Sequence, residues 1–290
     1  MSEIIELIKT LRDRTGAGMM DCKRALEANG NDIEKAIDWL REKGIAKAAK
    51  KEGRIAAEGL TIVKFCDKCN HALILEINCE TDFVAGSDVF KELVQAVAKL
   101  LMHEKINDLD KAITASKPLF DDAALKLGEK LSFRRLETFD VAPDNGVGTY
   151  IHMGGKISSI VVLQSKNEEL AKGIAMSIAA NSPVYITLND VPQEDREKET
   201  IVQTELVKND EKLKGKPVQA LQKIIEGKVN KVLATSTLSE QEYVLDPSKT
   251  IAQVLLENNN KVIKFVRYQV GEGIEKRVDN FVEEVTKQIH

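Results

Sequence analysis

The stretch ALILEINCETDFVA, residues Ala72 to Ala85, places an apolar run directly before a polar loop that contains a large ring. The run Ala72 to Ile77 predicts a buried strand or a short core helix. Asp82 and Phe83 then stand side by side where that element ends. A core favours the ring without the carboxylate, and a solvated turn favours the reverse. The residues alone leave two interpretations open: Asp82 caps a turn with Phe83 in the core, or both face a partner.

The strand at Ala72 to Ile77 belongs to a pattern that occurs twice along the chain. Each copy has a strand, a hairpin, a second strand, a helix and a closing strand. The strands are Gly59 to Phe65, Ala72 to Ile77 and Lys130 to Phe139, then Gly148 to His152, Ile157 to Leu163 and Lys261 to Val270. The helix faces are Phe90, Leu93, Val94, Val97 and Leu101, then Leu170, Ala171, Ile174 and Ile178. This order predicts a duplicated α+β core of antiparallel sheets, each with helices on one side.

The chain before this core has the pattern of a small helical module. Apolar residues recur at helical spacing, which predicts three short helices. Their apolar stretches run from Ile4 to Leu11, from Cys22 to Leu26 and from Ile33 to Leu40. Asn31 and Glu34 resemble a capping box at the third helix, and Gly44 is expected to end it. A basic connector, Lys47 to Arg54 (KAAKKEGR), follows.

The second copy of the core pattern carries a long, highly charged insertion, Pro192 to Leu233. Sparse apolar seams flank a break at Gly215 to Pro217 within it. The seams are Val202, Leu206 and Leu213 before the break, and Val218, Leu221, Ile225, Val229 and Val232 after it. Narrow seams of this kind predict two helices folded back as an antiparallel coiled-coil hairpin. Near the end of the chain, a terminal helix is predicted with the apolar face Ile274, Val278, Phe281, Val282, Val285 and Ile289.

These patterns divide the 290 residues into five predicted modules. A helical N-terminal domain with the basic connector covers 1–54, and the first core subdomain covers 55–145. The second subdomain covers 146–191 and 236–270. The coiled-coil arm covers 192–235, and a C-terminal helical module covers 271–290. A hydrophobic content of 43% is enough for more than one core.

The charge balance bears on the class of partner. Charged residues make up 30% of the chain, yet the net charge is only −4, so both signs are mixed. Without an overall cationic field, nucleic acid is not expected as a direct partner. The amphipathic N-terminus carries acids, unlike a signal peptide, and no apolar stretch approaches the roughly 18 residues of a membrane span. We therefore expect a soluble, cytoplasmic protein with no membrane partner.

Cys66 and Cys69 form the motif CDKC, and His71 follows closely. This spacing raises the possibility of zinc, but a structural zinc site usually needs four ligands, and neither a second C-x-x-C nor a His pair completes one. We expect a polar hairpin turn between two strands, with a loosely held metal or a redox-sensitive pair as alternatives. Together with Cys22 and Cys79, these cysteines are too few for a disulfide scaffold and fit a reduced cytoplasm.

Signatures of nucleotide-binding and hydrolytic sites are absent from the sequence. Four histidines are too few for a multi-His metal site, and no Cys or Ser stands in a recognisable nucleophile context. Small modules, a duplicated body and a projecting arm are typical of a protein that grips another protein. We expect no catalytic residue, metal or cofactor.

Longer stretches carry a family resemblance. Leu11 to Gly44 (LRDRTGAGMMDCKRALEANGNDIEKAIDWLREKG) and Ile77 to Ala85 (INCETDFVA) resemble two signatures of the translation elongation factor Ts family. Further matches follow in order at Lys126 to Arg135, Tyr150 to Ile157, Asp246 to Thr250 and Val270 to Lys276. The family has a UBA-like helical N-terminal domain, a two-part core, a coiled-coil arm and a C-terminal helix. The resemblance implies this layout and the function of guanine nucleotide exchange factor for elongation factor Tu.

The resemblance also implies roles for individual residues. Thr81, Asp82, Phe83 and Val84 match the family loop that reaches the magnesium of the partner GTPase and dislodges it. Contacts with the partner are implied for Arg12, Met19, Met20, Leu127, Gly128, Glu129 and His152. Core packing stays open for Met19, and the role of His152 rests on the family match alone. The arm and the C-terminal helix are likewise implied to touch the partner.

Three features depart from the family pattern. Met153 stands where many relatives pass directly from His to Gly, which affects the geometry expected around His152. Ala85 to Phe90 lacks the basic residue or Asn that often follows TDFVA, and the CDKC hairpin is not expected of the family.

Two rival functions come from other classes. An RNA- or ribosome-binding factor would use the basic connector Lys47 to Arg54 and would bind in a strongly salt-dependent way. A metal-dependent enzyme would be built on Cys66, Cys69 and His71 and would hold stoichiometric zinc.

Overall fold

The structure, a computed structural model, describes residues 2–49, 51, 53–213 and 215–275. It begins with three helices, α1 (Ser2–Thr15), α2 (Met19–Ala28) and α3 (Ile33–Ala49). Their apolar faces meet in a small core of Leu11, Ala17, Cys22, Ala25, Leu26, Ala36 and Leu40. The predicted three-helix module is confirmed.

Two details of α3 differ from the prediction. Asp32 caps the helix, because its carboxylate accepts a backbone amide of the first turn at 3.1 Å, whereas Asn31 adopts left-handed backbone with φ 64°. Gly44 does not end α3, which continues into the predicted basic connector. A Cβ at Gly44 would lie 2.2 Å from Cδ2 of Leu125 in the core. Gly44 therefore permits close packing of the module on the core, and a packing glycine is indistinguishable from a terminating one in sequence.

The first half of the core contains β1 (Glu58–Cys66), β2 (His71–Cys79), α4 (Asp82–Gly86), α5 (Asp88–Glu104), α6 (Leu109–Leu127) and β3 (Ser132–Asp140). The three strands form an antiparallel sheet in the order β1-β2-β3. Every residue of the central strand β2 is buried. The run that could have been a strand or a core helix is thus the central strand. Of these elements, α4 and α6 were not predicted, since the residues of α4 were expected to form a loop.

The second half contains β4 (Gly146–His152), β5 (Ile157–Leu163), α7 (Glu168–Asn181), α8 (Gln193–Lys208), α9 (Val218–Thr235), β6 (Glu242–Tyr243), β7 (Asp246–Thr250), α10 (Ile251–Glu257) and β8 (Val262–Gln269). Its main sheet is again antiparallel, in the order β4-β5-β8. β6 and β7 form a separate two-stranded sheet. The predicted duplication of strand, hairpin, strand, helix and closing strand is confirmed.

The two main sheets pack face to face, and their helices cover the outer faces. Side chains of β2 point alternately to its two faces. Leu73 and Leu75 pack against the helices, and Ala72 and Ile74 pack against the other sheet. The buried cluster between the sheets consists of Val63, Ala72, Ile74, Val141, Ile160, Val162, Val266 and Tyr268. Within the described ranges, each sheet therefore has its helices on one side, as predicted.

Helices α8 and α9 form the predicted helical hairpin, but the predicted seam of α8 is displaced by one residue. Val202 and Leu206 were expected to face α9, whereas both are exposed and Gln203 and Val207 are buried instead. Both pairs share the i, i+4 spacing, so the periodicity alone did not distinguish them. In the predicted seam of α9, Val218 and Val232 are exposed and Leu233 is buried. At the base of the arm, Val191, Val229 and Leu233 form a buried cluster.

Only the start of the predicted C-terminal helical module falls within the described residues. Residues 271–275 form a turn and an irregular stretch, and the helix face from Val278 to Ile289 lies outside the described residues. In the described part of the chain, no helix has both the length and the apolar character needed to cross a membrane. The five module boundaries stay predictions.

Candidate functional site

The loop after β2 is a tight turn into the short helix α4. Thr81 is the N-terminal cap, and its Oγ1 accepts the amide of Val84 at 3.3 Å. Asp82 is consequently the first helical residue rather than the cap. The ring of Phe83 is 87% exposed. The interpretation with Phe83 in the core is wrong, and the loop presents a ring and a carboxylate to solvent.

Glu129 holds this loop from the neighbouring turn. Its Oε2 accepts the amides of Glu80 and Thr81, both at 3.0 Å, and its Oε1 accepts the hydroxyl of Thr81 at 2.6 Å. Gly128 makes the geometry possible, because it ends α6 in left-handed backbone with φ 68°. Three hydrogen bonds to one charged side chain fix the backbone immediately before Phe83.

Glu80, which precedes Thr81, in turn binds the backbone just after Glu129. Its carboxylate accepts the amide of Lys130 at 2.7 Å and NH1 of Arg54 at 3.1 Å. The thiol of Cys79 donates to the carbonyl of Thr81 at 3.2 Å, and burial raises the pKa of this thiol to about 12, so it stays a donor. The sequence had not identified Glu80 or Arg54 as part of the site, although Glu80 stands inside the motif itself.

The residues predicted beside this turn differ in exposure. Leu127 is partly buried against the first core, whereas Gly128 is exposed. The carbonyl of Gly128 accepts a hydrogen bond from Nζ of Lys51. Lys51 and Arg54, the basic connector residues whose side chains the structure describes, thus bind groups of their own chain.

The helical module presents its predicted residues on its surface. Arg12, Met19 and Met20 are all exposed, so the core interpretation of Met19 is wrong. The module is attached to the first core by an ion pair of 3.1 Å between Arg41 and Asp122. A cavity of about 470 Å³ between module and core reaches Glu129. The structure therefore places the helical module next to the turn that holds the loop Thr81 to Val84, called here the TDFV loop.

His152 belongs to the second half of the core, where it is the last residue of β4. It is exposed, and its Nδ1 is 3.2 Å from the hydroxyl of Tyr150, with the two rings stacked. Met153 is exposed and adopts left-handed backbone with φ 48°. The extra residue is accommodated in a strained turn, and the side chain of His152 stays available at the surface.

The arrangement suits contact with another macromolecule. The loop offers an apolar ring and an adjacent carboxylate on an anchored backbone, and Met19 and Met20 offer adaptable apolar surface. Among the described residues, no group of three or more His, Cys, Asp or Glu side chains is arranged to hold a metal ion. The proposed zinc ligands Cys66 and Cys69 are joined in a disulfide, so their sulfurs are not thiolate ligands. The expectation of reduced cysteines is wrong for this pair, whereas Cys22 and Cys79 are free and buried.

Two sequence families match the chain. The family described as Elongation factor TS matches residues 80–272, and the one described as Elongation factor Ts, mitochondrial, N-terminal matches residues 2–53. The Elongation factor Ts of Pediococcus pentosaceus is 45% identical over 290 residues, which cover 98% of this chain and 97% of the relative. That of Acholeplasma laidlawii is 46% identical over 291 residues, 98% of each chain. That of Lactiplantibacillus plantarum is 44% identical over 290 residues, 97% of each.

Proposed function

The chain belongs to the elongation factor Ts family, and from this premise we propose that it is the guanine nucleotide exchange factor for elongation factor Tu. The observation that carries the proposal is Phe83, a large apolar side chain that is 87% exposed on an anchored turn. Exposing such a ring forgoes the free energy of burying it, about 1.5–3 kcal/mol, unless a partner buries it. The action is expected in the cytoplasm, by binding alone, without covalent chemistry.

The mechanism acts through the partner's magnesium. Mg²⁺ keeps a nearly ideal octahedral shell of carboxylate, hydroxyl, water and phosphate oxygens. The ring of Phe83 enters between helices of the partner, and the carboxylate of Asp82 approaches its metal-binding loop. Moving those ligands releases the ion, so the charge of the diphosphate is less well compensated and GDP leaves faster.

Exchange then follows from thermodynamic linkage. If the factor weakens GDP binding by some ratio, GDP weakens the binding of the factor by the same ratio. GTP that binds to the nucleotide-free complex therefore ejects the factor. Rigid presentation of Phe83 helps, because a loop that is already ordered loses less conformational entropy in the complex.

The remaining contacts belong to separate surfaces. We propose that Arg12, Met19 and Met20 touch the GTPase domain from the helical module, and that Gly128 and its neighbours lie beside them. His152 is proposed to contact the partner from the other half of the core. The arm and the C-terminal helix complete the contact surface.

Stopped-flow release of a fluorescent GDP analogue from elongation factor Tu of the same organism tests the function. The protein is expected to accelerate release, and the acceleration is expected to be greatest at high Mg²⁺, where the intact metal site limits spontaneous release. An RNA-binding factor would instead leave release unchanged and bind RNA with a steep salt dependence. No acceleration at any Mg²⁺ concentration would exclude the exchange function.

Glu129 is expected to act as a positioning residue for the loop, so Glu129→Gln should slow exchange. The amide side chain has one acceptor oxygen in place of two, and it cannot accept all three hydrogen bonds that Glu129 accepts now. Loss of one or two such bonds costs about 1–3 kcal/mol of loop order, so the maximal exchange rate should fall roughly five- to hundredfold. Stopped-flow titration with elongation factor Tu measures this rate.

Amide hydrogen exchange separates positioning from direct contact. In the free Glu129→Gln protein, the amide of Thr81 should exchange faster than in the wild type, because it loses its acceptor. Glu92→Gln, the same change at an exposed site on α5, is the matched control and should alter neither readout. Unchanged Thr81 exchange together with weaker binding would mean that Glu129 contacts the partner directly.

A further inference from the structure

The turn between β1 and β2 lies at the end of the sheet opposite to the TDFV loop. Cys66 is the last residue of β1, and Cys69 lies in the turn. The two form a disulfide across Cα atoms 5.4 Å apart, a separation in the usual disulfide range. Both residues are partly exposed. The exchange mechanism makes no use of this pair.

His71, at the start of β2, carries a ring nitrogen that can accept a proton. It is buried, and its Nδ1 is 2.8 Å from Oδ1 of Asp140. Because a carboxylate can only accept, Nδ1 donates, and the Nε2 of the neutral ring is left as an acceptor. That Nε2 is buried and has no hydrogen-bond partner. A buried acceptor without a donor is costly, so a donor that reaches Nε2 would be stabilising.

The register of the sheet identifies a candidate donor. Cys66 pairs directly with His71, and side chains of directly paired residues project from the same face. This is the face on which Ile62 of β1 and Leu73 of β2 meet the helices. The side chains of Cys66 and His71 therefore project from the same face. Once reduced, Cys66 together with His71 and Asp140 would supply a nucleophile, a base and an orienting carboxylate.

We propose that Cys66 and Cys69 are a reversible dithiol–disulfide site that exchanges with low-molecular-weight disulfides, with His71 accepting the proton of Cys66. The backbone amide of Cys69 already donates to Sγ of Cys66 at 3.2 Å, which favours negative charge on that sulfur. Cys66 is therefore the attacking thiol and Cys69 the resolving one.

The reaction balances as an exchange. Cys66 passes its proton to Nε2, and its thiolate attacks one sulfur of the disulfide RSSR, so a Cys66–SR bond forms and one RS⁻ leaves. The thiolate of Cys69 then attacks Cys66, closes the intramolecular disulfide and expels the second RS⁻. The two cysteine protons end on the two leaving thiolates. RSSR is reduced to two RSH while the two cysteines are oxidised.

The other two cysteines are shielded from this chemistry. Cys22 and Cys79 are buried, and burial raises the pKa of both thiols, to about 12 for Cys79. Thiolates are the reactive form, so these residues stay unreactive in the folded protein. The chain thus provides two internal controls for any labelling experiment.

Native-state labelling in glutathione buffers tests the site. The full chain is equilibrated across ratios of reduced to oxidised glutathione, quenched, and alkylated with a maleimide of known mass. We expect the intact mass to show two labels per chain in reducing buffers and none in oxidising buffers. Peptide mapping should place the two labels on Cys66 and Cys69. Cys69→Ser should accumulate a mixed disulfide with glutathione at Cys66. Two labels in every buffer, or one zinc ion per reduced chain that blocks labelling, would overturn the proposal.

A pH profile tests the part of His71. In the Cys69→Ser protein, we expect the alkylation rate of Cys66 to stay high below the ordinary thiol pKa, and His71→Gln to lower that rate at pH 7 by about tenfold. His103→Gln at the exposed end of α5 is the matched control. Asp140→Asn, at a mostly exposed position, gives a second variant that keeps the fold and should lower the rate in the same direction.

Charged groups at this end of the sheet include Lys105, whose charge acts on Asp140, and Asp67 and Lys68 in the turn. Because all three remain in each variant, their contribution to the profile is constant. If the alkylation rate of Cys66 had the same pH profile with His71 and with His71→Gln, His71 would not be the proton acceptor.

Discussion

Phe83→Ala is expected to abolish most of the acceleration of GDP release from elongation factor Tu while leaving the fold unchanged. The ring is 87% exposed and therefore contributes almost nothing to the core of the free protein. In the complex, its burial is worth about 1.5–3 kcal/mol, so truncation should slow exchange roughly ten- to hundredfold. The measurement is stopped-flow release of a fluorescent GDP analogue at saturating factor, with the unfolding midpoint of the free variant alongside.

Leu256→Ala provides the matched control for this experiment. Leu256 is also a highly exposed apolar residue, but it lies on α10 in the other half of the core. Its truncation should change neither exchange nor stability. If the two variants exchanged equally fast, the ring would not be the wedge, and the function would have to act through other contacts.

Magnesium distinguishes the mechanism from simple loss of affinity. If Phe83 acts by displacing the ligands of the partner's metal, the deficit of Phe83→Ala should shrink when Mg²⁺ is lowered, because the metal no longer restrains GDP. A deficit that persists without Mg²⁺ would mean that Phe83 supplies binding energy only.

The sequence predicted the parts of the fold that depend on strong local periodicity. The helices after the two hairpins follow from residues such as Val97 and Ile174, whose spacing fits one helix face. The run that contains Leu73 fitted a strand or a core helix, and only the repeated hairpin pattern favoured the strand. Helix α6 was missed because its buried residues, Ala112, Ser116 and Ala123, are small and widely spaced, and Pro118 lies inside it. Its start does carry a signal, since Asp108 caps the first turn.

Sequence reasoning named residues of the candidate site but not the hydrogen bonds that join them. The family resemblance implied a partner contact for Phe83 and for Glu129, but no pattern in the sequence indicated that Glu129 holds the backbone of Thr81. That contact joins residues far apart in the chain, and it depends on how α6 ends and where the sheet places β2. Long-range polar contacts of this kind are set by packing, which periodicity does not encode.

Glu76 is the largest surprise of this type, and Glu76→Ala is expected to destabilise the protein by about 3–5 kcal/mol. Its carboxylate stands in the middle of the apolar strand β2 and is fully buried. NH1 of Arg134 lies 3.0 Å from it, Nε of Arg135 2.6 Å, and the amide of Gly271 2.8 Å. Asn78 donates a further bond at 3.0 Å. One side chain therefore joins two strands to the segment that follows β8.

The expected loss is large because removal of Glu76 leaves several donors without an acceptor. The guanidinium groups of Arg134 and Arg135 reach solvent only in part, and the amide of Gly271 would be buried without a partner. Glu137→Ala is the matched control, since Glu137 lies on the same sheet and pairs with Lys264 at 2.7 Å but is partly exposed. That surface pair should contribute less than about 1 kcal/mol.

Urea unfolding of both variants decides between a structural and a merely local role for Glu76. The midpoint for Glu76→Ala should fall by several times the shift of Glu137→Ala, with an unchanged slope if the native state stays compact. Equal shifts would mean that water or the arginines compensate the lost carboxylate. A preserved midpoint with faster amide exchange at Gly271 would instead show that Glu76 holds only the segment after β8, and the core would be stable without it.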